Sequence, residues 1–256
     1  MKKYNLQEHM FGILKNISWD QFRIKNIQWW VKASAATKWS NEILALAGVP
    51  KHWALDSHDS KERVEMKKKN YDAFLADIEK STSLSLLSCA NKIVGEVCCG
   101  PLGGIIECYE LQCKEKYFID IIMDDYEEMN LVEWSENSHF IQAPTEHIHL
   151  ENNKLDILFG YNSIDHGWDW KKSIDECLRI SKKMFLMFDT KNEVDGDWHP
   201  QKISHQDVLD YAEQNNWHDK FKHVEIKPQL KNYGSYEMRG GFPVVPWPET
   251  WVYVIK

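Results

Sequence analysis

The sequence predicts an α/β protein with a doubly wound, mostly parallel seven-stranded sheet, an antiparallel last strand and a helical N-terminal extension. From Lys92 onward, short apolar runs alternate with segments of helical periodicity, which indicates parallel strands joined by helices. Several of these runs are apolar at consecutive positions, as is typical of strands covered on both faces. The link between the last two runs, residues 234–248, is rich in glycine and proline and favours a hairpin-like return over a crossover helix.

The chain has 256 residues, which suits one large domain with an added segment. Its 43% apolar and 27% charged residues are ordinary for a globular protein. We expect residues 1–90 to form the helical extension or cap, because they contain few strand-like runs. Two of their segments, residues 39–47 and 60–78, have helical spacing. Residues 91–256 are expected to form the α/β domain.

Charge and cysteine content limit the partners that this protein can have. The formal net charge of −8 makes nucleic acid a poor candidate, because an acidic surface repels phosphate backbones. No apolar stretch is long enough to cross a bilayer and no apolar h-region follows the N-terminus, so we expect a cytoplasmic protein without a membrane partner. The six cysteines are expected to be free thiols, and the sequence predicts no metal site. It leaves the oligomeric state open.

Seven segments are predicted to be strands, and helical segments lie between several of them. The strands are expected at residues 93–97, 117–122, 139–143, 155–159, 184–188, 222–226 and 250–255. In an open parallel sheet, ligands bind outside the carboxyl ends of the strands, where the strand order reverses. The residues that follow each predicted strand therefore form the candidate site.

A turn of small residues follows the first strand. It begins at Glu96 and runs through Cys98, Cys99 and Gly100 towards a pair of glycines at 103–104. Small residues allow the backbone to approach a ligand, and the helix that follows would present free N–H groups to an anion such as a carboxylate. The alternative is an ordinary glycine-containing turn between a strand and a helix.

Three further loops supply the remaining candidates. Asp120 lies at the carboxyl end of the second strand, 20 residues beyond Gly100, where a carboxylate can accept hydrogen bonds from both ribose hydroxyls. The alternative is an exposed loop acid. Thr145 and Glu146 follow the third strand, where they would flank an adenine ring. The fourth strand is followed by Gly160, Tyr161, Asn162 and His166.

In this order and spacing, the four loops resemble the core of class I S-adenosylmethionine-dependent methyltransferases, specifically the type 11-like group. The resemblance covers residues 91–256. The turn at residues 96–100 resembles the acidic–glycine turn of that family, and Asp120 matches its ribose-binding acid. Thr145 and Glu146 lie where the family contacts adenine, and the fourth-strand segment and the reversed last strand also resemble the family pattern.

The resemblance implies a Rossmann-like methyltransferase fold with S-adenosylmethionine as cofactor. It further implies that the backbone of residues 98–100 and the region of Gly160 hold the methionine part, next to Asn162 in the fourth-strand motif. The ring of Tyr161 is a candidate to face the sulfonium cation. Cys98 departs from the pattern, because it stands where the family usually has glycine.

A dinucleotide is the competing ligand for such a sheet. Its fingerprint requires glycine at the first, third and sixth positions of the turn. When Gly100 is placed third, Gly103 is sixth but Cys98 occupies the first position. The missing glycine and the expected antiparallel last strand favour S-adenosylmethionine.

Two histidines and two tryptophans are candidates for the reaction itself. His166 and His199 follow strands four and five, and a histidine suits a base near neutral pH. Each has an alternative reading, as a histidine bonded at a helix start or solvated in a loop. Trp29 and Trp30 are the best candidates to line an acceptor site, the alternative being that they pack the extension onto the core.

The sequence thus predicts an enzyme that methylates a small or medium organic acceptor at oxygen or nitrogen by in-line transfer. Two alternatives stay open. One is a non-catalytic cofactor-binding scaffold of the same fold, for which the Cys98 departure is the motive. The other is a protein methyltransferase, which the aromatic extension disfavours because a macromolecular substrate needs an open cleft.

Overall fold

A computed structural model provides the structure of the protein. It describes residues 57–100, 103–128, 137–190, 201–231 and 247–256. The helix predicted at residues 39–47 lies outside these ranges, as do Trp29, Trp30 and His199. The division of the chain at residue 90 stays a prediction.

Helices and strands alternate through most of the described chain. The helices are α1 (Ser57–Thr82), α2 (Gly104–Cys108), α3 (Met123–Glu128), α4 (Trp170–Ile180), α5 (His205–Gln214) and α6 (Trp217–Lys220), with short 3-10 helices at Leu86–Cys89 and Ile164–His166. The strands are β1 (Ile93–Val97), β2 (Glu115–Asp120), β3 (Ser138–Gln142), β4 (Ile157–Tyr161), β5 (Lys183–Asp189), β6 (His223–Lys231) and β7 (Trp247–Ile255). No helix in the described ranges is both long and apolar enough to span a membrane.

The seven strands form one sheet in the order β3-β2-β1-β4-β5-β7-β6. The neighbours from β3 through β5 pair in parallel, whereas β7 is antiparallel to both β5 and β6. This arrangement confirms the predicted mostly parallel sheet with an antiparallel last strand. The order reverses between β1 and β4, so the carboxyl ends of these two strands border the crevice in which ligands bind.

Helices cover both faces of the sheet, which explains why the strands are apolar at consecutive positions. Every residue of β5 after Lys183 is buried. One face packs against α1, through Phe74 and Ile78, and against α2 and α3. The other face packs against α4 and α5, through Ile174 and Val208.

The starts of α4 and α5 follow from local sequence. Asp169 caps α4, because its Oδ1 accepts a hydrogen bond from Lys172 N at 3.2 Å. Ser204 caps α5 in a reciprocal box: its Oγ accepts from Asp207 N at 3.1 Å, and Asp207 Oδ2 accepts from Ser204 N at 2.8 Å. Such caps satisfy the first N–H groups of a helix, which have no partner inside it.

Strand β4 begins two residues later than predicted. Leu155 pairs with Ser181 in an isolated bridge, and Asp156 Oδ2 accepts a hydrogen bond from Ile93 N at 3.0 Å. These contacts belong to the entry of the strand, so the regular ladder with β1 and β5 starts after them. Gly160 and Tyr161 are consequently strand residues and not, as predicted, the start of the following loop.

Helix α1 is tied to the antiparallel end of the sheet by a partly buried polar cluster. Tyr253 Oη on β7 donates to Asp77 Oδ2 at 2.9 Å. Lys227 on β6 forms an ion pair with the same carboxylate and donates to Ser81 Oγ at 3.1 Å. The end of the predicted extension therefore shares the core of the sheet.

Candidate functional site

Three loops meet at the carboxyl edge of the sheet, where β1 lies between β2 and β4. Val97, the last residue of β1, is in register with Ile119 on one side and with Gly160 on the other. The turn that follows β1 is therefore flanked by Asp120 and by the segment after β4. The topology brings together the residues that spacing alone had selected.

The turn after β1 follows a path that glycine favours. Cys98 has φ +53° and Gly100 has φ +60°, both in the left-handed region. A side chain in that region costs about 1–2 kcal/mol, so Cys98 is strained where glycine would not be. Its N–H donates to Ile119 O at 2.8 Å, and its thiol donates weakly to Ser163 O at 3.7 Å. The half-buried cysteine thus preserves the turn and links it to the segment after β4.

Asp120 holds the turn by its carboxylate. Its Oδ2 accepts a hydrogen bond from Gly100 N at 3.0 Å, and its Oδ1 accepts from Ile122 N at 3.2 Å. Burial raises the pKa of Asp120 to about 6, while the bonds from Ile122 and Gly100 lower it. A carboxylate has about four lone-pair sites, so each oxygen can still accept one hydroxyl.

Glu96 bonds to the protein's own backbone. Oε1 accepts from Ile105 N at 2.9 Å and Oε2 accepts from Ile106 N at 3.0 Å, with Glu96 only 1% exposed. The expectation that α2 presents these free N–H groups to a ligand is wrong, because the Glu96 carboxylate supplies the anion. A Cβ at Gly104 would lie 1.9 Å from Glu96 Oε1, which explains the glycine. Direct cofactor binding by Glu96 stays a prediction.

The loop after β3 is fastened to the start of α4. Thr145 Oγ1 lies 2.8 Å from Ser173 Oγ, and Glu146 Oε1 accepts hydrogen bonds from Trp168 N at 2.6 Å and Asp169 N at 3.0 Å. These bonds order the loop at the edge of the crevice. The adenine contact expected of Thr145 and Glu146 stays a prediction.

The last two residues of β4, Gly160 and Tyr161, pack against neighbouring strands and against α1. A Cβ at Gly160 would lie 2.6 Å from Leu186 Cδ2 and 2.8 Å from Val97 Cγ2, so the neighbouring strands require glycine there. The ring of Tyr161 meets Tyr71 of α1 edge-on, with the ring centroids 4.7 Å apart. Glycine at 160 is therefore explained without a ligand, and a role for Tyr161 beside the sulfonium stays a prediction.

Asn162 and His166 form a pair after β4. Asn162 Nδ2 lies 2.9 Å from His166 Nε2. Because an amide N–H can only donate, Nε2 accepts this bond and the proton of the neutral ring is on Nδ1. The nitrogen that a base would use is therefore engaged by Asn162, and catalysis by His166 stays a prediction.

Two hydroxyls that sequence reasoning missed lie near the turn after β1. Tyr126 on α3 and Ser163 after β4 are both 0% exposed, and neither hydroxyl has a hydrogen-bond partner within the described ranges. Burial raises the pKa of Tyr126, and the nearby Asp120 carboxylate and Cys99 thiol raise it further. The only sequence signal for Tyr126 is a polar tip on an apolar helix face just after Asp120.

A third histidine lies at the carboxyl end of β5. His205 Nδ1 is 3.0 Å from Thr250 Oγ1, which donates to Thr190 Oγ1 at 3.3 Å. The Thr250 hydroxyl already donates its proton to Thr190, so it can only accept a hydrogen bond from His205. The ring therefore donates through Nδ1, and its Nε2 is the basic nitrogen. Burial lowers the pKa of His205, which favours the neutral ring. Among the described residues, no group of three or more His, Cys, Asp or Glu side chains is arranged to hold a metal ion.

The sequence matches no known family profile and no curated protein. Solved structures do resemble the fold. The YcgJ protein from Bacillus subtilis is 13% identical, with 73% of this chain and 98% of that chain covered and a TM-score of 0.51. A SAM-dependent methyltransferase from Aquifex aeolicus is 15% identical, with 75% and 98% covered and a TM-score of 0.42. The [4+2]-cyclase SpnF is 13% identical, with 72% and 81% covered and a TM-score of 0.48.

These likenesses concern the fold. The strand order and the reversed β7 are those of the Rossmann-like fold of class I methyltransferases, which confirms the fold expected from the resemblance. A fold of this kind supports many activities, so function has to be argued from the site.

Proposed function

We propose that the protein is an S-adenosylmethionine-dependent methyltransferase that acts on a small or medium organic acceptor at oxygen or nitrogen. The observation that carries the proposal is the pairing of Asp120 with the turn after β1. The carboxylate is buried at the end of β2, bonds Gly100 N at 3.0 Å, and keeps acceptor capacity for a diol. This arrangement suits the ribose of an adenosyl group.

The described residues fit the remainder of the cofactor as well. The left-handed turn at Cys98 and Gly100 brings backbone close to the crevice, where a methionine carboxylate and amine would rest. The carboxylate of Asp120 and that of Asp165 lie near Cys98, and they would favour the sulfonium and the ammonium of the cofactor. Ser163 adds a buried hydroxyl without a partner in the described chain, on the other side of the turn.

The chain's own residues have a limited chemical task in this reaction. The cofactor supplies an activated methyl group, so the protein has to align the acceptor and exclude water. A base is required only when the acceptor must lose a proton. His166 and His199 are the proposed candidates, to which the geometry adds His205. Trp29 and Trp30 are proposed to line the acceptor site.

Calorimetric titration with S-adenosylmethionine and, separately, with NADH tests the cofactor. We expect the former alone to bind, and binding would justify a screen of acceptors by methyl transfer. Binding of NADH instead would overturn the assignment. A chain that binds neither ligand, alone or with candidate acceptors present, would also contradict the proposal.

A cofactor-binding protein without catalysis is the second candidate, and the Cys98 side chain is the observation that favours it. Its thiol extends from the turn towards Ser163 O, across the region that the methionine part would occupy. The net charge of −8 supports a small-molecule partner over nucleic acid. We also propose a cytoplasmic location. Methylation of a protein acceptor is kept as an alternative proposal.

Replacing Cys98 by glycine tests whether the thiol obstructs the cofactor, which is the premise of the second candidate. We expect Cys98→Gly to bind S-adenosylmethionine more tightly by roughly 3- to 10-fold, because loss of the thiol that extends towards Ser163 O opens the turn. Its free energy of unfolding should change by less than about 1 kcal/mol, since added backbone entropy offsets the relief of the left-handed strain. Cys108→Ser, at the exposed end of α2, is the calorimetric control. Weaker binding by Cys98→Gly would show that the thiol is part of the site.

A further inference from the structure

The Tyr126 hydroxyl is a buried polar group that makes no hydrogen bond within the described part of the fold. The residue is 0% exposed in the core between α3 and the sheet, and its Oη has no hydrogen-bond partner in the part of the chain that the structure describes. A buried hydroxyl without a partner destabilises the fold relative to one that is bonded. Phenylalanine would fill the same space without this cost.

A short chain of contacts fixes the backbone of Tyr126 relative to Asp120. Asp120 Oδ1 accepts from Ile122 N at 3.2 Å, and Ile122 O accepts from Tyr126 N at 3.3 Å. The phenol therefore belongs to the first turn of helix that Asp120 itself anchors. Burial raises the pKa of the phenol, and Asp120, Cys99 and Cys98 are near enough to raise it further.

The neighbours of the phenol determine what can satisfy it. The Asp120 carboxylate only accepts hydrogen bonds when ionised, and the Cys99 thiol already donates to Ile119 O at 3.8 Å. A group placed between the phenol and the carboxylate must therefore donate on one side and accept on the other. A hydroxyl does both, because it has one proton and two lone pairs.

We propose that Tyr126 is a cofactor-binding residue whose hydroxyl donates to a ribose hydroxyl that in turn donates to Asp120. The inference rests on the proposed function and extends it to a residue outside the motifs that define the resemblance. It explains why a hydroxyl is kept in a fully buried position: the ligand supplies the missing partner. Tyr126 and Asp120 together would select a ribose over a deoxyribose.

The test uses Tyr126→Phe in the full chain, with thermal unfolding and calorimetric titration of S-adenosylhomocysteine as its two measurements. We expect the melting temperature of the free protein to rise by about 2–4 °C, because a buried hydroxyl without a partner is removed. The affinity for S-adenosylhomocysteine should fall by roughly 3- to 10-fold, because one hydrogen bond is lost. A merely structural tyrosine would not move the two measurements in opposite directions.

Tyr253→Phe is the matched control. Tyr253 is also 0% exposed, but its hydroxyl bonds Asp77 at 2.9 Å, far along the sheet from the turn. We expect this variant to lose melting temperature and to keep its affinity. A titration with 2′-deoxyadenosine and 3′-deoxyadenosine against adenosine adds a ligand-side control: the Tyr126→Phe effect should vanish for the one analogue that lacks the bonded hydroxyl.

The outcomes separate this inference from the proposed function. A wild-type protein that binds S-adenosylhomocysteine, with Tyr126→Phe binding it equally well, would leave the methyltransferase proposal intact and overturn the role of Tyr126. A wild-type protein that binds no adenosyl ligand would overturn both. A drop in melting temperature for Tyr126→Phe would show that the hydroxyl has a partner within the protein, which also contradicts the inference.

Discussion

Asp120→Ala is expected to weaken S-adenosylmethionine binding by at least roughly 100-fold. The variant removes the acceptor for two ribose hydroxyls, and hydrogen bonds to a charged group contribute about 1.5–3 kcal/mol each. It also removes the bond from Gly100 N at 3.0 Å, which orders the turn after β1. Calorimetric titration of both proteins measures the effect, and circular dichroism establishes that the variant is folded. An affinity within threefold of wild type would eliminate Asp120 as the ribose acid.

The raised pKa of the Asp120 carboxyl leads us to expect that S-adenosylmethionine binding depends on pH. Burial raises the pKa of Asp120 to about 6, and its protonated form offers less acceptor capacity. Affinity should therefore fall as the pH decreases through 6, and Asp120→Asn should have weak and pH-independent binding. The contribution of Asp120 to the free energy of unfolding changes with pH in the opposite direction from its contribution to binding. Because the folded chain holds this proton more tightly than the unfolded chain, that contribution is lost as the pH rises through 6.

Glu96→Ala is expected to destabilise the fold by about 3–5 kcal/mol. The variant leaves Ile105 N and Ile106 N without their acceptor in the core, and each such buried group costs about 1–3 kcal/mol. It also opens a cavity beside Gly104. Urea unfolding followed by circular dichroism measures the change in the free energy of unfolding.

Glu213→Ala provides the comparison for Glu96. Glu213 lies on the exposed side of α5, so its truncation should change the free energy of unfolding by less than about 0.5 kcal/mol. A loss below about 1 kcal/mol for Glu96→Ala would mean that water or a rearranged turn replaces the carboxylate. A stable Glu96→Ala that no longer binds S-adenosylmethionine would instead support the direct cofactor contact that the sequence predicted.

Strand existence and direction were predictable because they depend on local pattern. The apolar runs of β1, β2 and β5 are covered on both faces, and the glycine- and proline-rich link before β7 favoured the antiparallel pairing that the structure has. The position of Asp120 near the turn at Gly100 was predictable in the same sense, since both lie at the carboxyl ends of strands, but the bond between them was not predicted. The boundary of β4 was not, because Leu155 is apolar whether it pairs with Ser181 or joins the ladder.

The sequence by itself determined the fold class, the antiparallel last strand and the positions of the loops, since these follow from periodicity and chain connectivity. Only the tertiary structure decided what each side chain does there. It directs Glu96 to the start of α2, packs Gly160 between β1 and β5, and buries the Tyr126 hydroxyl without a partner in the described chain. The physical reason is that hydrogen-bond partners and cavities are contributed by residues distant in sequence, and no local pattern encodes their distances.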